Sequence, residues 1–349
     1  MATHVRNGEW LLWIADLVRA GSRQAYAATL PPDRFHCLLD ELPLHLIPPR
    51  ALNSSGWWHA PAGQLFLNPQ CLVLPSGRVP EELQQNPGLL DGLAIQNGVV
   101  AWVRDHPFGS FLPFWLGPRL QQAVANLRAG EPAPEWLPEQ DRLLLAASGI
   151  LTPQDYAERR LQEWDEMVRE CGVVFRTNSY VPLGGLIHPF HLGALRRYYR
   201  HQIRNGNIRL GDHQSPRRYV AHNEPVARFF HRQIVPVVSA IAGKTVKPSY
   251  VYMASYLSGA QLKKHTDRVQ CEFSVTLCLD FSPEPLQATS WPICLDSPAG
   301  RVKVYQALGD ALVYRGTKLP HYRNVLPEGN TSTSIFFHYV PDDFTGTLD

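Results

Sequence analysis

Tyr256-Leu257-Ser258-Gly259-Ala260-Gln261-Leu262-Lys263-Lys264-His265-Thr266-Asp267 is the stretch that decides how the second half of the chain is read. The apolar run Tyr250 to Leu257 meets Gly259, the pattern of a strand closed by a turn. The chain then returns through Leu262 toward a histidine and, two positions on, a carboxylate. Side chains two apart in a strand share a face, so His265 and Asp267 are expected to reach inward together. A third group must come from elsewhere. Gly309-Asp310-Ala311-Leu312-Val313-Tyr314-Arg315-Gly316 supplies a turn and a strand, and Leu319-Pro320-His321 follows it. Two imidazoles and one carboxylate on one side of a metal leave the other side open, which suits a non-haem iron(II) that must still bind a cosubstrate and dioxygen.

Working outward, short β-rich runs cover Val173 to Phe175, Phe273 to Leu279, Ile293 to Leu295, Val302 to Tyr305, Ala311 to Tyr314 and Ser334 to Val340. Gly, Pro, Asp and Ser separate them, and helices are expected over His191 to Arg204 and Pro225 to Ile241. Many short strands at close spacing point to a sandwich or barrel of the jelly-roll kind. Thr152-Pro153-Gln154-Asp155 opens a further helix, with a capping residue, a proline at the first helical position and an acid in the first turn, expected to end near Gly172. Upstream, Arg128 to Glu139 carries three prolines and little periodicity and reads as a linker. The first 150 residues hold Trp10, Trp13, Trp57, Trp58, Trp102, Trp115 and Trp136, a helix over Trp10 to Val18, two short strands around Asn68-Pro69, and a helix over Gly117 to Leu127. The expected fold is α+β: a largely helical, mixed N-terminal domain (1–150), then a C-terminal double-stranded β-helix, or jelly roll, with flanking helices (151–349).

Tyr256 to Asp267 and Gly309 to Val340 together resemble the 2-oxoglutarate- and iron(II)-dependent dioxygenases, nearest the prolyl-4-hydroxylase-like branch. That signature is carried here by Tyr256, Gly259, His265 and Asp267, then by Gly309, Asp310, Tyr314 and His321. The resemblance spans roughly residues 173 to 345. It implies iron(II) on His265, Asp267 and His321, with 2-oxoglutarate and dioxygen as cosubstrates, 2-oxoglutarate being decarboxylated to succinate. Hydroxylation of an unactivated C–H of an amino acid, peptide or peptide-derived natural product is the implied outcome. Desaturation or cyclisation at the same site, and a non-catalytic metal or 2-oxoglutarate sensor, are the alternatives. Asp267 stands where related halogenases carry Gly or Ala, which favours oxygen insertion or desaturation over halogenation. The family's usual cation about ten residues past the distal histidine is missing, since that neighbourhood is Thr331-Ser332-Thr333-Ser334. Arg323 shares the face of His321 in a continuing strand and is assigned the far carboxylate of 2-oxoglutarate, with Arg315 and Arg301 as rivals. Tyr256, Thr331 and Thr333 are assigned further hydrogen bonds to the cosubstrate.

Other patterns carry less. His188-Pro189-Phe190-His191 could supply ligands but precedes a helix and lacks a third partner, so packing is the expected role. Arg218 to Glu224 lies between helices and is placed at the substrate mouth. There is no P-loop, no G-x-S-x-G and no Rossmann fingerprint. A formal charge of +2 argues for no nucleic-acid or anionic-membrane partner. The six cysteines form no C-x-x-C pair, and no run is apolar enough to be a signal peptide or a membrane span, so free thiols and a cytoplasmic location are expected. A small molecule or a peptide is the expected partner.

Overall fold

The computed structural model describes residues 30–54, 63–105 and 108–349, so the helix expected over Trp10 to Val18 lies outside the described residues. The chain divides into two compact units, one holding the residues up to Leu161 with His188–Tyr198, the other Gln162–Ile187 with Tyr199–Asp349.

In the first unit the described residues are mixed rather than largely helical. Strands β1 (Phe66–Leu67) and β2 (Cys71–Leu74) flank Asn68-Pro69 as expected, but they do not pair with each other. β2 joins β3 (Val99–Asp105) and β4 (Ser110–Leu116) in an antiparallel three-stranded sheet, and β1 pairs with β5 (Leu151–Thr152). Val99–Asp105 and Ser110–Leu116 are apolar on both faces, without the alternation that marks a half-buried strand. The helix Pro118–Ala125 stands where one was expected. The stretch read as a linker is folded into this unit: Ala133 N donates to Leu65 O at 2.6 Å, Phe66 bridges to Pro132, and Leu137 is buried.

The helix Tyr156–Asn178 runs past Gly172 and absorbs Val173 to Phe175, which were read as a strand. A β-branched pair costs a helix only about 1 kcal/mol in total. Val173 and Val174 face solvent while Phe175 is buried against Phe273, at 6.1 Å between ring centroids, so helical geometry buries the one residue that needs it. The expected helix over Pro225 to Ile241 is two, Pro225–Gln233 and Val235–Ala242. Pro236 has no N–H for the first helix and fits the opening turn of the second.

The second unit is built on two antiparallel sheets. The larger has the order β6 (Tyr180–Leu183), β14 (Ala311–Tyr314), β11 (Phe273–Ser282), β16 (Thr331–Pro341), β9 (Val246–Tyr256), β8 (Arg218–His222) and β7 (Arg209–Leu210). The smaller has the order β10 (Leu262–His265), β15 (His321–Arg323), β12 (Ile293–Ser297) and β13 (Gly300–Val304). Aromatic and β-branched residues fill the long central strands, as a pleated, buried surface favours. Ile293, Leu295 and Val304 of the smaller sheet pack with Leu312 and Tyr314 of the larger, so the sheets share a core. The mixed α/β character and the antiparallel pairing agree with the expected fold class. Among the described residues all six cysteines are free, and no helix is long and apolar enough to cross a membrane.

Candidate metal centre

Strand register brings the two histidines together. β10 and β15 run antiparallel with His265 directly opposite His321, and their ring centroids are 4.4 Å apart. Gly259, at φ 79°, makes the turn that sends the chain from β9 into β10. β10 ends at His265, so Asp267 lies just past the strand rather than within it. Its backbone N–H donates to Gly316 O at 2.9 Å, and its Oδ1 sits 3.4 Å from His321 Nε2 and 3.7 Å from His265 Nε2. Gly316 is required there, because a Cβ at that position would lie 2.2 Å from Asp267 Oδ2 and 2.5 Å from Ser274 Oγ.

Each ligand is oriented from behind. His265 Nδ1 donates to Lys263 O at 2.8 Å and His321 Nδ1 to Leu319 O at 2.9 Å, which leaves both Nε2 atoms facing Asp267, open to a proton or to a metal. Ser274 Oγ donates to Asp267 Oδ2 at 2.7 Å, and its own lone pair faces His338 Nδ1 at 3.0 Å. Oδ1 is thus left for a cation. Burial would raise the Asp267 pKa, but the hydrogen bond and charge of His321 outweigh it and hold the carboxyl well below its ordinary range. Burial, then the neighbouring His321, lowers the pKa of His265. The donor atoms of His265, Asp267 and His321 all lie within 4.8 Å of one another. Neutral imidazoles, an ionised carboxylate and one open side fit a divalent transition metal such as iron(II).

The centre opens into a cavity of about 640 Å³ walled by Tyr250, Tyr252, Tyr256 and Phe336, with Arg218 and Arg268 among its charged groups. Arg218 and His222 line it, from the segment placed at the mouth by sequence. Arg218 is buried and paired with Asp212, and it donates to Tyr256 Oη at 3.2 Å. Arg323 shares the buried face of β15 with His321. It donates to Trp291 O at 2.7 Å and to Gln306 Oε1 at 3.2 Å, and lies 4.7 Å from the Trp291 ring. Both acceptors are neutral. Among the described residues no carboxylate lies within ion-pair distance of this guanidinium, and burial pushes its pKa down. Tyr256, which lines the cavity, lies within its electrostatic reach. Gln306 also donates to Thr276 O at 2.9 Å, the buried hydroxyl of Ser334 has no hydrogen-bond partner among the described residues, and that of Thr276 faces the Tyr314 hydroxyl.

The assignment of Thr331 and Thr333 is corrected by strand alternation. Phe336 faces the cavity, so Ser334 and Ser332 share its side, whereas Thr331 and Thr333 point the other way. Thr333 Oγ1 spends its proton on Ser255 Oγ at 2.8 Å. The rivals also differ from Arg323: Arg315 pairs with Glu272 and Arg301 with Asp296, both partly exposed. Ser274, His338 and Thr276 escaped the sequence reading, and Ser334 entered it only as part of the Thr331 to Ser334 neighbourhood and of the Ser334 to Val340 run. The parity of His338 with Phe336 on one strand was the available signal.

No family model and no curated protein matches the sequence. Solved structures do. The non-haem α-ketoglutarate-dependent epimerase SnoN from nogalamycin biosynthesis is 13% identical, with a TM-score of 0.43 over 52% of this chain and 91% of its own. A Pseudomonas putida prolyl-4-hydroxylase is 17% identical, with a TM-score of 0.42 over 50% of this chain and 100% of its own. HygX from Streptomyces hygroscopicus, solved with nickel, 2-oxoglutarate and hygromycin B, is 13% identical, with a TM-score of 0.41 over 51% of this chain and 88% of its own. In each of these three the likeness covers about half of this chain. SnoN has also been solved with Fe3+ and α-ketoglutarate.

Proposed function

We propose that the second unit is a double-stranded β-helix oxygenase that uses iron(II), 2-oxoglutarate and dioxygen to hydroxylate an unactivated C–H bond of a small molecule. The observation that carries this reading is the orientation of the three donors. Both histidines commit Nδ1 to a backbone carbonyl two residues back, so that two Nε2 atoms and one free carboxylate oxygen meet at one point. Iron bound there with its cosubstrates would supply the oxidising power that couples decarboxylation of 2-oxoglutarate to C–H oxidation.

The chain's own part is to bind, orient and exclude water. Arg323, a buried cation with neutral partners only, is the group that the far carboxylate of 2-oxoglutarate would neutralise, because buried charges are stable when paired. The buried hydroxyl of Ser334 would offer that carboxylate a further donor. Arg218 is already neutralised by Asp212 and serves instead to hold Tyr256 at the cavity wall. The aromatic wall keeps the reacting C–H out of water. The first unit is proposed to recruit substrate.

The test is succinate released from 2-oxoglutarate under air with iron(II) and ascorbate, alongside a screen of amino-acid and peptide pools for the gain of one oxygen. Succinate formation lost in His321→Ala is the expected result. No succinate under any condition, from protein that binds iron stoichiometrically, would leave a non-catalytic sensor as the reading.

A further inference from the structure

Among the titratable groups that line the cavity, Arg218 and His222 each have a carboxylate within ion-pair distance, and Arg268 does not. Arg218 is matched by Asp212, whose Oδ2 also accepts from Tyr252 Oη at 2.6 Å. His222 Nε2 is 3.0 Å from Asp349 Oδ1, and Asn223 Nδ2 donates to Asp349 Oδ2 at 3.2 Å. Asp267 belongs to the metal centre. Arg268, the next residue, is exposed and lines the same cavity. Among the described residues no carboxylate lies within ion-pair distance of it, though the Tyr250 hydroxyl interacts with it and Asp349 acts on it from farther away. Its guanidinium sits 4.7 Å from the centroid of the Tyr250 ring. Tyr250 is itself fixed, its hydroxyl 3.1 Å from Cys271 Sγ and its ring 4.6 Å from that of His338.

A guanidinium held over a fixed ring keeps its planar fork available for a planar oxyanion. The floor beyond it is aromatic, from Tyr252 and Phe336, and the space is that of a small-molecule site. We propose that Arg268 is the specificity residue for the substrate and takes a free carboxylate, while the ring or chain bearing that carboxylate lies on Tyr252 and Phe336 with its oxidised carbon toward the metal. This rests on the oxygenase reading above, and it narrows the substrate to a carboxylate-bearing small molecule, such as a free amino acid, rather than an internal segment of a peptide.

The test uses the full chain loaded with nickel(II) and saturating 2-oxoglutarate, so that the metal and cosubstrate positions are filled. The probes are 3-phenylpropionate and its neutral isostere 3-phenylpropionamide, with binding read by calorimetry. Wild-type protein is expected to bind the acid about tenfold or more tightly than the amide, the size of a charge-assisted hydrogen bond. Arg268→Gln should bring the two affinities together by weakening the acid alone, with nickel and 2-oxoglutarate affinities unchanged, and Arg268→Lys should restore part of the preference. Equal affinities in the wild type, no acid binding at all, a preference that survives in Arg268→Gln, or a loss of 2-oxoglutarate binding in that variant would each overturn the proposal. Failure of the oxygenase reading looks different: nickel and 2-oxoglutarate would not bind, whatever the acid-to-amide ratio.

Discussion

Two histidine pairs in this chain have similar spacing in space and opposite chemistry. In the first unit, His188 and His191 lie 5.6 Å apart between ring centroids, and both are fully buried. His188 Nε2 donates to Ala147 O at 3.0 Å while its Nδ1 accepts from Phe190 N at 3.2 Å, and His191 Nε2 donates to Pro113 O at 2.8 Å, its ring stacked 4.6 Å from Phe114. In the second unit, His265 and His321 are 4.4 Å apart and give only Nδ1 to the backbone. Proximity therefore does not make a metal site. What matters is which nitrogen the backbone consumes, and whether a carboxylate faces the one left over.

The largest expected effect breaks the second pair. His265→Ala or His321→Ala removes one of three ligands and should abolish stoichiometric iron binding, read by metal analysis, with the fold retained by circular dichroism. His188→Ala should do the reverse: iron stays bound, and stability falls by about 1–3 kcal/mol as Ala147 O and Phe190 N lose their buried partner. Iron retained in the first two variants, or lost in the third, would collapse the distinction.

Arg323→Ala comes next. Loss of a charge-assisted hydrogen bond of about 1.5–3 kcal/mol should raise the 2-oxoglutarate requirement roughly tenfold to a hundredfold, with iron affinity hardly moved. Arg323→Lys should recover only part. An unchanged requirement would move the carboxylate elsewhere.

Ser274→Ala tests the orientation argument itself. It removes the donor to Asp267 Oδ2 and the partner of His338 Nδ1, but no ligand. Groups behind a ligand typically contribute about ten- to a hundredfold in metal affinity, and a loss toward the lower end is expected because both Nδ1 anchors remain. Wild-type affinity would mean that Asp267 needs no second contact.

The same contrast explains what could be read from residues alone. That His265, Asp267 and His321 come together was legible because their pattern is local: a strand, a glycine turn, a histidine and a carboxylate, then a second turn and strand. That Arg323 shares the buried face of His321 followed from parity on one short strand. Thr276, Ser334 and His338 were not legible, since their place depends on which of several distant strands pair and in what register, and a one-residue difference of face was enough to misassign Thr331 and Thr333. The β3–β4 hairpin was missed for a related reason. Strands buried on both faces lose the period-two signal, and Val99–Asp105 and Ser110–Leu116 are of that kind. The run Val173 to Phe175 erred the other way, three apolar residues that fit either geometry until Phe273 decided it.

The smallest expected effect separates the pairs by acid. Burial lowers the pKa of His191 from 6.5 to about 4 in the folded chain, and burial also holds that of His188 well below its ordinary value. A histidine whose folded pKa is depressed is neutral in both states above pH 6.5. Below that value the unfolded chain takes up a proton that the folded chain refuses, so stability is lost as pH falls from about 6.5 toward 4. The slope in that window is on the order of 1 kcal/mol per pH unit for each such histidine. His191→Gln keeps a donor for Pro113 O but cannot take up a proton, so its unfolding midpoint in urea should fall less steeply than wild type between pH 6.5 and 4.5. The metal pair should behave differently. Bound metal excludes protons from Nε2 of His265 and His321, so adding nickel(II) should change the acid response of the wild type and of His191→Gln by the same amount. Parallel pH profiles for wild type and His191→Gln would show that this buried imidazole does not set the acid response. A metal effect that disappears in His191→Gln would show that the two pairs are coupled rather than separate.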